Sequence, residues 1–216
     1  MTSPNPHIPN ALIDPTSTLL GDPTPEDLRV QRTAFTAIRR EERLGLDELA
    51  ARCGLPSGVV ADVLGRLATA GMIRRDADGV VLGIAGLTLE PSTHRLQLDG
   101  ADLFTWCAFD VVGIPAALRT DAIAGTTCPT CSAPIEVAFR HGKATGPPDA
   151  VGFLPDPSCS NVLAEFCPSA NLFCSPEHLD RWRQEAGNPS GEAMDLAAFT
   201  DLGAACWAHL AQVDGG

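Results

Sequence analysis

The chain predicts an α+β fold: an N-terminal winged-helix-like helical unit, then a small mixed β-sheet domain with flanking helices. Three observations predict it. Between Thr24 and Gly71, helix start and stop residues alternate with apolar residues at helical spacing. From His94 onward, short apolar–polar alternations separated by Gly and Pro read as strands. Leu196, Phe199, Leu202, Cys206 and Leu210 then line a closing amphipathic helix.

The first stretch, 1–22, carries Pro4, Pro6, Pro9 and Pro15 and little periodicity, so it reads as an extended arm. Ala11-Leu12-Ile13 and Leu19-Leu20 offer it apolar anchors. Thr24-Pro25-Glu26-Asp27 is a helix start: a capping hydroxyl, a proline at the first helical position and acids in the first turn. Leu28, Phe35 and Ile38 mark its apolar stripe. Leu46 to Cys53 reads as a second helix ended by Gly54. Ser57 caps a third, with Val60, Val63, Leu64 and Leu67 on one face and Gly71 past its end. Gly79 turns the chain into a strand at Val80-Val81-Leu82. Three helices and a hairpin make a winged-helix pattern over 23–86. The outward face of the third helix holds Gly58, Ala61, Asp62, Gly65, Arg66 and Thr69. One base and one acid are too few to hold phosphates or read bases, so the unit reads as a packing module.

The remaining stretch, 87–216, reads as an α+β domain. His94–Leu98 is a strand leading toward a helix at Leu103–Asp110, which Gly113 and Pro115 stop. Ala122–Ala124 and Pro134–Phe139 read as strands flanking Cys128-Pro129-Thr130-Cys131. Val151–Leu154 and Val162–Phe166 follow as strands, the second delivering Cys167. Ser175-Pro176-Glu177 starts a helix through Trp182 that stops near Gly187.

Composition narrows the function. The 216 residues suffice for a sizeable core, and 44% hydrophobic with 19% charged residues is ordinary for a globular protein. Net charge −12 argues against a nucleic-acid partner, since phosphate binding needs a basic face. No apolar run approaches the roughly 18 residues of a membrane span. The N-terminus has no basic region followed by an apolar one, so a cytoplasmic location is expected. The eight cysteines then read as thiols or metal ligands rather than disulfides. No serine–histidine nucleophile motif and no phosphate-cradling glycine loop is present.

Within Leu103-Phe-Thr-Trp-Cys-Ala-Phe-Asp110, a cysteine and an aspartate sit in an apolar run. Three apart on a helix they share a face. The thiolate is the attacking, soft-metal-binding form of cysteine, and a neighbouring carboxylate can take or return its proton. A cysteine acting as a small hydrophobe explains Cys107 but not a charge among Trp106, Phe109, Val111 and Val112.

Trp106-Cys107-Ala108-Phe109-Asp110 resembles the catalytic motif of the alkylmercury (organomercurial) lyase family. Glu165-Phe166-Cys167 resembles that family's second cysteine segment, and the resemblance runs from about Glu26 into the C-terminal helix. It implies cleavage of a carbon–mercury bond to a hydrocarbon and bound Hg(II), in mercury resistance and detoxification. The implied triad is Cys107, Asp110 and Cys167, with Cys107 and Cys167 holding the Hg(II) product and Trp106 and Phe109 lining the substrate pocket. It implies an organomercurial substrate, no required cofactor, small thiols or a mercury-accepting reductase as partners, and an N-terminal unit without a DNA role. The chemistry agrees: soft mercury prefers sulfur over oxygen, and burial would let Asp110 hold a proton near neutrality.

Cys128, Cys131 and Cys174 invite a different function. Cys128-Pro-Thr-Cys131 is a frequent zinc half-site, and Cys167 with Cys174 could complete it as structural zinc. Cys128 fits the family's pattern, whereas Cys131 and Cys174 depart from it. Three readings therefore stand: a lyase, a zinc-stabilised or metal-sensing binding protein of the same fold without lyase activity, and a winged-helix regulator. Cys53 and Cys206 fall on apolar helix faces, Cys159 falls in an exposed loop, and His178 reads as a first-turn residue with a backbone or solvent role.

Overall fold

The computed structural model describes residues 23–211, so the arm expected over 1–22 lies outside the described residues. Helix α1 (Pro25–Arg39) begins as expected. Thr24 and Asp27 close a capping box, and Val30, Ala34, Phe35 and Ile38 are buried. Helix α2 (Leu46–Cys53) ends at Gly54 in the left-handed conformation, which costs glycine no Cβ clash. Helix α3 (Ser57–Thr69) buries Val60, Val63, Leu64 and Leu67. Its cap is Pro56 rather than Ser57; the Ser57 hydroxyl donates instead to Asp47.

The sheet is larger than expected and antiparallel rather than small and mixed. Strands β1 (Ile73–Arg75), β2 (Val81–Ile84), β3 (Leu87–Thr88), β4 (His94–Leu98), β5 (Ala101–Thr105), β6 (Ala122–Thr127), β7 (Pro134–Arg140) and β8 (Lys143–Thr145) form one sheet. Their order is β1-β2-β3-β5-β4-β6-β7-β8, antiparallel throughout. The hairpin of the N-terminal unit thus continues directly into the C-terminal sheet through β3 and β5. A second antiparallel sheet, β10-β9-β11, comprises β9 (Val151–Pro155), β10 (Asn171–Phe173) and β11 (Gly191–Asp195). The two- and three-residue strands carry too little alternation to stand out in the sequence.

Two expected elements change type. Leu103–Thr105 belongs to β5, whose burial alternates in the two-residue period of a strand, and helix α4 starts only at Ala108. That helix runs to Leu118, through Gly113 and Pro115, because residues 108–116 are all buried. Tertiary packing outweighs the hydrogen bond that Pro115 removes. Val162–Phe166 is a π-helical turn, not a strand: the Asn161 side chain accepts from the Ala164 N–H, and the Cys167 N–H donates to Val162. Helix α5 (Pro176–Glu185) and helix α6 (Leu196–Ala211) form where expected.

Helix α4 is sandwiched between the sheet and α6. A Cβ built on Gly113 would lie 2.5 Å from a Trp207 ring carbon and 2.9 Å from the Gly203 Cα, so the two helices touch backbone to backbone there. Gly113→Ala should therefore destabilise the fold by about 1–3 kcal/mol, the usual cost of overpacking a rigid core. Urea unfolding of the variant beside the parent checks this; an unchanged midpoint would contradict it.

Candidate active site

The site is built at the N-terminus of α4. Cys107 is the N-cap residue and Asp110 the third helical residue, and each side chain satisfies the other's backbone. The Cys107 N–H donates to Asp110 Oδ2 at 2.9 Å, and the Cys107 sulfur accepts the Asp110 N–H. The buried Thr105 hydroxyl donates to the Cys107 carbonyl at 3.0 Å, fixing the chain where strand becomes helix. Cys107 and Asp110 do share a face, through a reciprocal cap rather than the mid-helix spacing expected.

Cys167 arrives from sixty residues away, at the end of the π-turn. Two backbone hydrogen bonds seat its segment. The Ala108 N–H donates to the Ala170 carbonyl at 3.1 Å, and the Val162 N–H to the Ala70 carbonyl at 2.9 Å. The Cys107 sulfur, an Asp110 carboxylate oxygen and the Cys167 sulfur lie within 4.8 Å of one another. All three residues are buried, at 0%, 5% and 7% exposure, so water has little access to their charges.

Burial governs the protonation of the group. It pushes the Asp110 carboxyl up to about 7, against the opposing pull of the Cys107 thiol and of the N–H groups of Cys107 and Trp106. Burial also raises the Cys107 thiol well above the ordinary range, helped by Cys167 and by the Asp110 charge. For Cys167, the hydrogen bond with Cys107 pulls the thiol down, but burial and Asp110 outweigh it and the thiol stands high. At neutral pH the resting site thus holds two thiols and a carboxyl that is readily ionised or protonated.

The floor of the site comes from the N-terminal unit. Gly86, at φ +91°, lies beneath Asp110: a Cβ there would stand 2.6 Å from the carboxyl carbon. Its carbonyl accepts the Trp106 N–H at 3.0 Å, and the neighbouring Ala85 carbonyl accepts Trp207 Nε1 of α6 at 2.7 Å. Sequence reasoning missed both Gly86 and Trp207, since neither sits in a motif. Trp106 is half-buried, and its indole N–H has no hydrogen-bond partner among the described residues. Phe109 packs against Phe166, Phe199 and Trp207, with ring centroids 6.3, 5.0 and 5.3 Å away.

The four-cysteine zinc arrangement does not form. Cys167 joins Cys107, and the ligand-bearing atoms of Cys128, Cys131, Cys174 and His178 gather as a second cluster within 4.8 Å of one another. His178 therefore has a side-chain role after all, its Nδ1 2.9 Å from the Cys174 sulfur and 3.8 Å from that of Cys128. The Cys174-x-x-x-His178 spacing was the readable signal. Cys159 is half-buried rather than exposed, its thiol raised by burial and by the nearby Glu165 and Cys167 charges. Cys53 and Cys206 are core residues, as expected.

A family profile described as MerB, alkylmercury lyase, matches residues 87–208, more than half of the chain. The chain belongs to the alkylmercury lyase family. The matched span contains both cysteine segments of the site, and the protein is an organomercurial lyase, not a binding protein without activity. Among relatives, the alkylmercury lyase of Bacillus cereus is 28% identical over 165 residues, covering 75% of this chain and 73% of that protein. That of Staphylococcus epidermidis (strain ATCC 12228 / FDA PCI 1200) is 27% identical over 175 residues, covering 80% and 78%. A crystal structure of the mercury-bound form of MerB2 matches with TM-score 0.84 at 29% identity, covering 94% of this chain and all of that one.

Two outcomes follow for this family member. Gly86→Ala forces a Cβ against the Asp110 carboxyl at an unfavourable φ, so lyase turnover should fall; a steady-state assay of the variant beside the parent measures it, and an unchanged rate would contradict it. The second concerns pH. Folded Asp110 keeps its proton up to about pH 7, whereas an unfolded aspartate loses it near 4. Between those values the folded state binds the additional proton, so this group's contribution to stability falls as pH rises. The loss is on the order of 1 kcal/mol per pH unit across that window. Asp110→Asn should remove that slope and gain on the parent from pH 4 to pH 7. Urea melts of both proteins across the range give the difference, and parallel curves would contradict it.

Proposed function

We propose that Cys107, Asp110 and Cys167 are the catalytic triad of this lyase, with both sulfurs as mercury ligands. The observation carrying this reading is the meeting of two thiols and one carboxyl of near-neutral pKa in a buried cluster. The substrate is an organomercurial R–Hg–X, where X is a displaceable ligand such as a small thiolate. Asp110, ionised, takes the Cys107 proton as the sulfur bonds to mercury, since a metal-bound thiol is far more acidic than a free one. Cys167 bonds next, and its proton leaves with X as HX. Two sulfurs load electron density onto mercury and thence onto the carbon. Asp110 then delivers its proton to that carbon, the C–Hg bond breaks, and R–H departs. The balance is R–Hg–X plus two thiols giving Hg(II) bound by two thiolates, R–H and HX; Asp110 ends ionised. The soft sulfurs hold the product until small thiols or a mercury-accepting reductase remove it. No cofactor enters the cycle. Trp106 and Phe109, flanking the two reactive residues in sequence, line the apolar side that receives the hydrocarbon group.

We further propose that 23–86 is a winged-helix-like packing module for the catalytic domain at 87–216, without a DNA role. Arg66, the base on the outward face of α3, is tied to the buried Asp27. The carbonyls of Thr69 and Ala70, at the end of α3, accept from Asn161 and Val162 of the segment that delivers Cys167. A cytoplasmic location fits this chemistry, because reduced thiols are needed both as ligands and as product acceptors. No helix among the described residues is long and apolar enough to cross a membrane.

The test is mutational. Cys107→Ser and Cys167→Ser should each abolish hydrocarbon release from phenylmercury, because a hydroxyl is a hard donor that stays protonated. Asp110→Ala should lower turnover by roughly 10²–10⁴-fold, the usual worth of a general acid–base group, and still bind Hg(II). Cys107→Ser releasing benzene at the parent rate would overturn the mechanism.

A further inference from the structure

The second cluster has no task in carbon–mercury cleavage, yet it is built as a ligand set. Cys128 and Cys131 lie in the turn between β6 and β7. The Cys128 N–H donates to Ala133 and the Ser132 N–H to Cys128, a knuckle that turns both sulfurs to one side. Cys174 follows β10, and His178 sits in the first turn of α5, whose cap is Ser175. The sulfurs of Cys131 and Cys174 are 3.6 Å apart, and Cys128 Sγ is 3.8 Å from His178 Nδ1. A tetrahedral zinc ion with Zn–S bonds of about 2.3 Å and Zn–N bonds of about 2.0 Å has edges of roughly 3.5–3.8 Å. The Cys174–His178 edge, at 2.9 Å, is shorter, a thiol–imidazole hydrogen bond that a metal ion would replace.

The surroundings suit a metal thiolate. Backbone N–H groups of Cys174, Cys131 and Thr130 point at the Cys128 sulfur, spreading its charge. The Thr130 hydroxyl donates to the His178 carbonyl at 2.7 Å, tying the knuckle to the helix from the other side. Three sulfurs and one imidazole select a soft or borderline ion of tetrahedral preference over magnesium or calcium. Four protein ligands leave no open position, which is the mark of a structural ion.

We propose that Cys128, Cys131, Cys174 and His178 bind a structural zinc ion that braces the two sheets against each other. The ion would join the β6–β7 turn of the large sheet to β10 and α5 of the small one. Strand β10 begins four residues after Cys167, and the Ala170 carbonyl just before it is stitched to the head of α4. The brace therefore sits directly behind the segment that carries the second catalytic sulfur.

The experiment uses the full chain, purified without added metal, with zinc measured by mass spectrometry, followed by chelator stripping and cobalt(II) titration. Expected are stoichiometric zinc, thiolate-to-cobalt charge transfer with the intense visible bands of tetrahedral cobalt, and a lower Tm after stripping. Cys107→Ser and Cys167→Ser should keep the zinc, whereas Cys131→Ser and His178→Ala should lose it and melt lower. Cobalt uptake with that signature supports the site even where zinc is lost in purification, and it decides the matter if a ligand variant fails to fold. A wild-type protein with neither zinc nor that spectrum overturns the proposal. So does zinc that survives in both Cys131→Ser and His178→Ala, or that leaves with Cys167→Ser.

Discussion

At the first turn of α4, the Cys107 N–H meets the Asp110 carboxylate at 2.9 Å inside a water-poor interior, and the Cys107 sulfur takes the Asp110 N–H in return. A capping box elsewhere on a protein closes a helix end. Here the two capping side chains are also the ones we propose to react, so the geometry that starts the helix holds thiol and carboxyl together. The helix N-terminus favours negative charge on both groups, while burial disfavours it. Burial wins at each, which leaves the thiol protonated and the carboxyl near 7. That balance suits the role we propose for the carboxyl, first as base and then as acid.

Much of the molecule packs around this turn and buries it. Helix α6 packs on α4 through glycine contacts at Gly113 and Gly203, and its Trp207 reaches the Ala85 carbonyl. The same turn places Gly86 under Asp110, where a side chain would displace the carboxyl. The N-terminal unit thus supplies part of the floor of the site and, through Ala70, part of the seat for the Cys167 segment.

The cysteines divide by environment. Cys107 and Cys167 are shut away from water beside a carboxyl, a setting for exchanging protons and capturing a soft electrophile. Cys131 and Cys174 are nearer the surface beside Cys128 and an imidazole, with backbone N–H donors and no acid among the gathered ligands, a setting for holding a cation still. The same element is placed for two different chemistries because its neighbours differ.

The α+β class, the helices at Pro25, Leu46, Ser57, Pro176 and Leu196, and the strands at His94, Ala122, Pro134 and Val151 were legible in the sequence, because caps, glycine stops and apolar periodicity are local signals. The pairing of Cys107 with Asp110 was legible for a similar reason: a charge in an apolar run needs an explanation three residues away. What local signals could not carry was partnership. The helix at Ala108 passes through Pro115 because both of its sides are buried, and Val162–Phe166 winds as a π-turn because Asn161 caps it. Which cysteine meets which was likewise undetermined, since Cys167 could join Cys107 or complete a zinc set with Cys128, Cys131 and Cys174. The hydrogen bond from Ala108 to Ala170 drew Cys167 to Cys107, and the start of α5 turned His178 toward Cys128. Those are long-range contacts, and only the packed chain decides them.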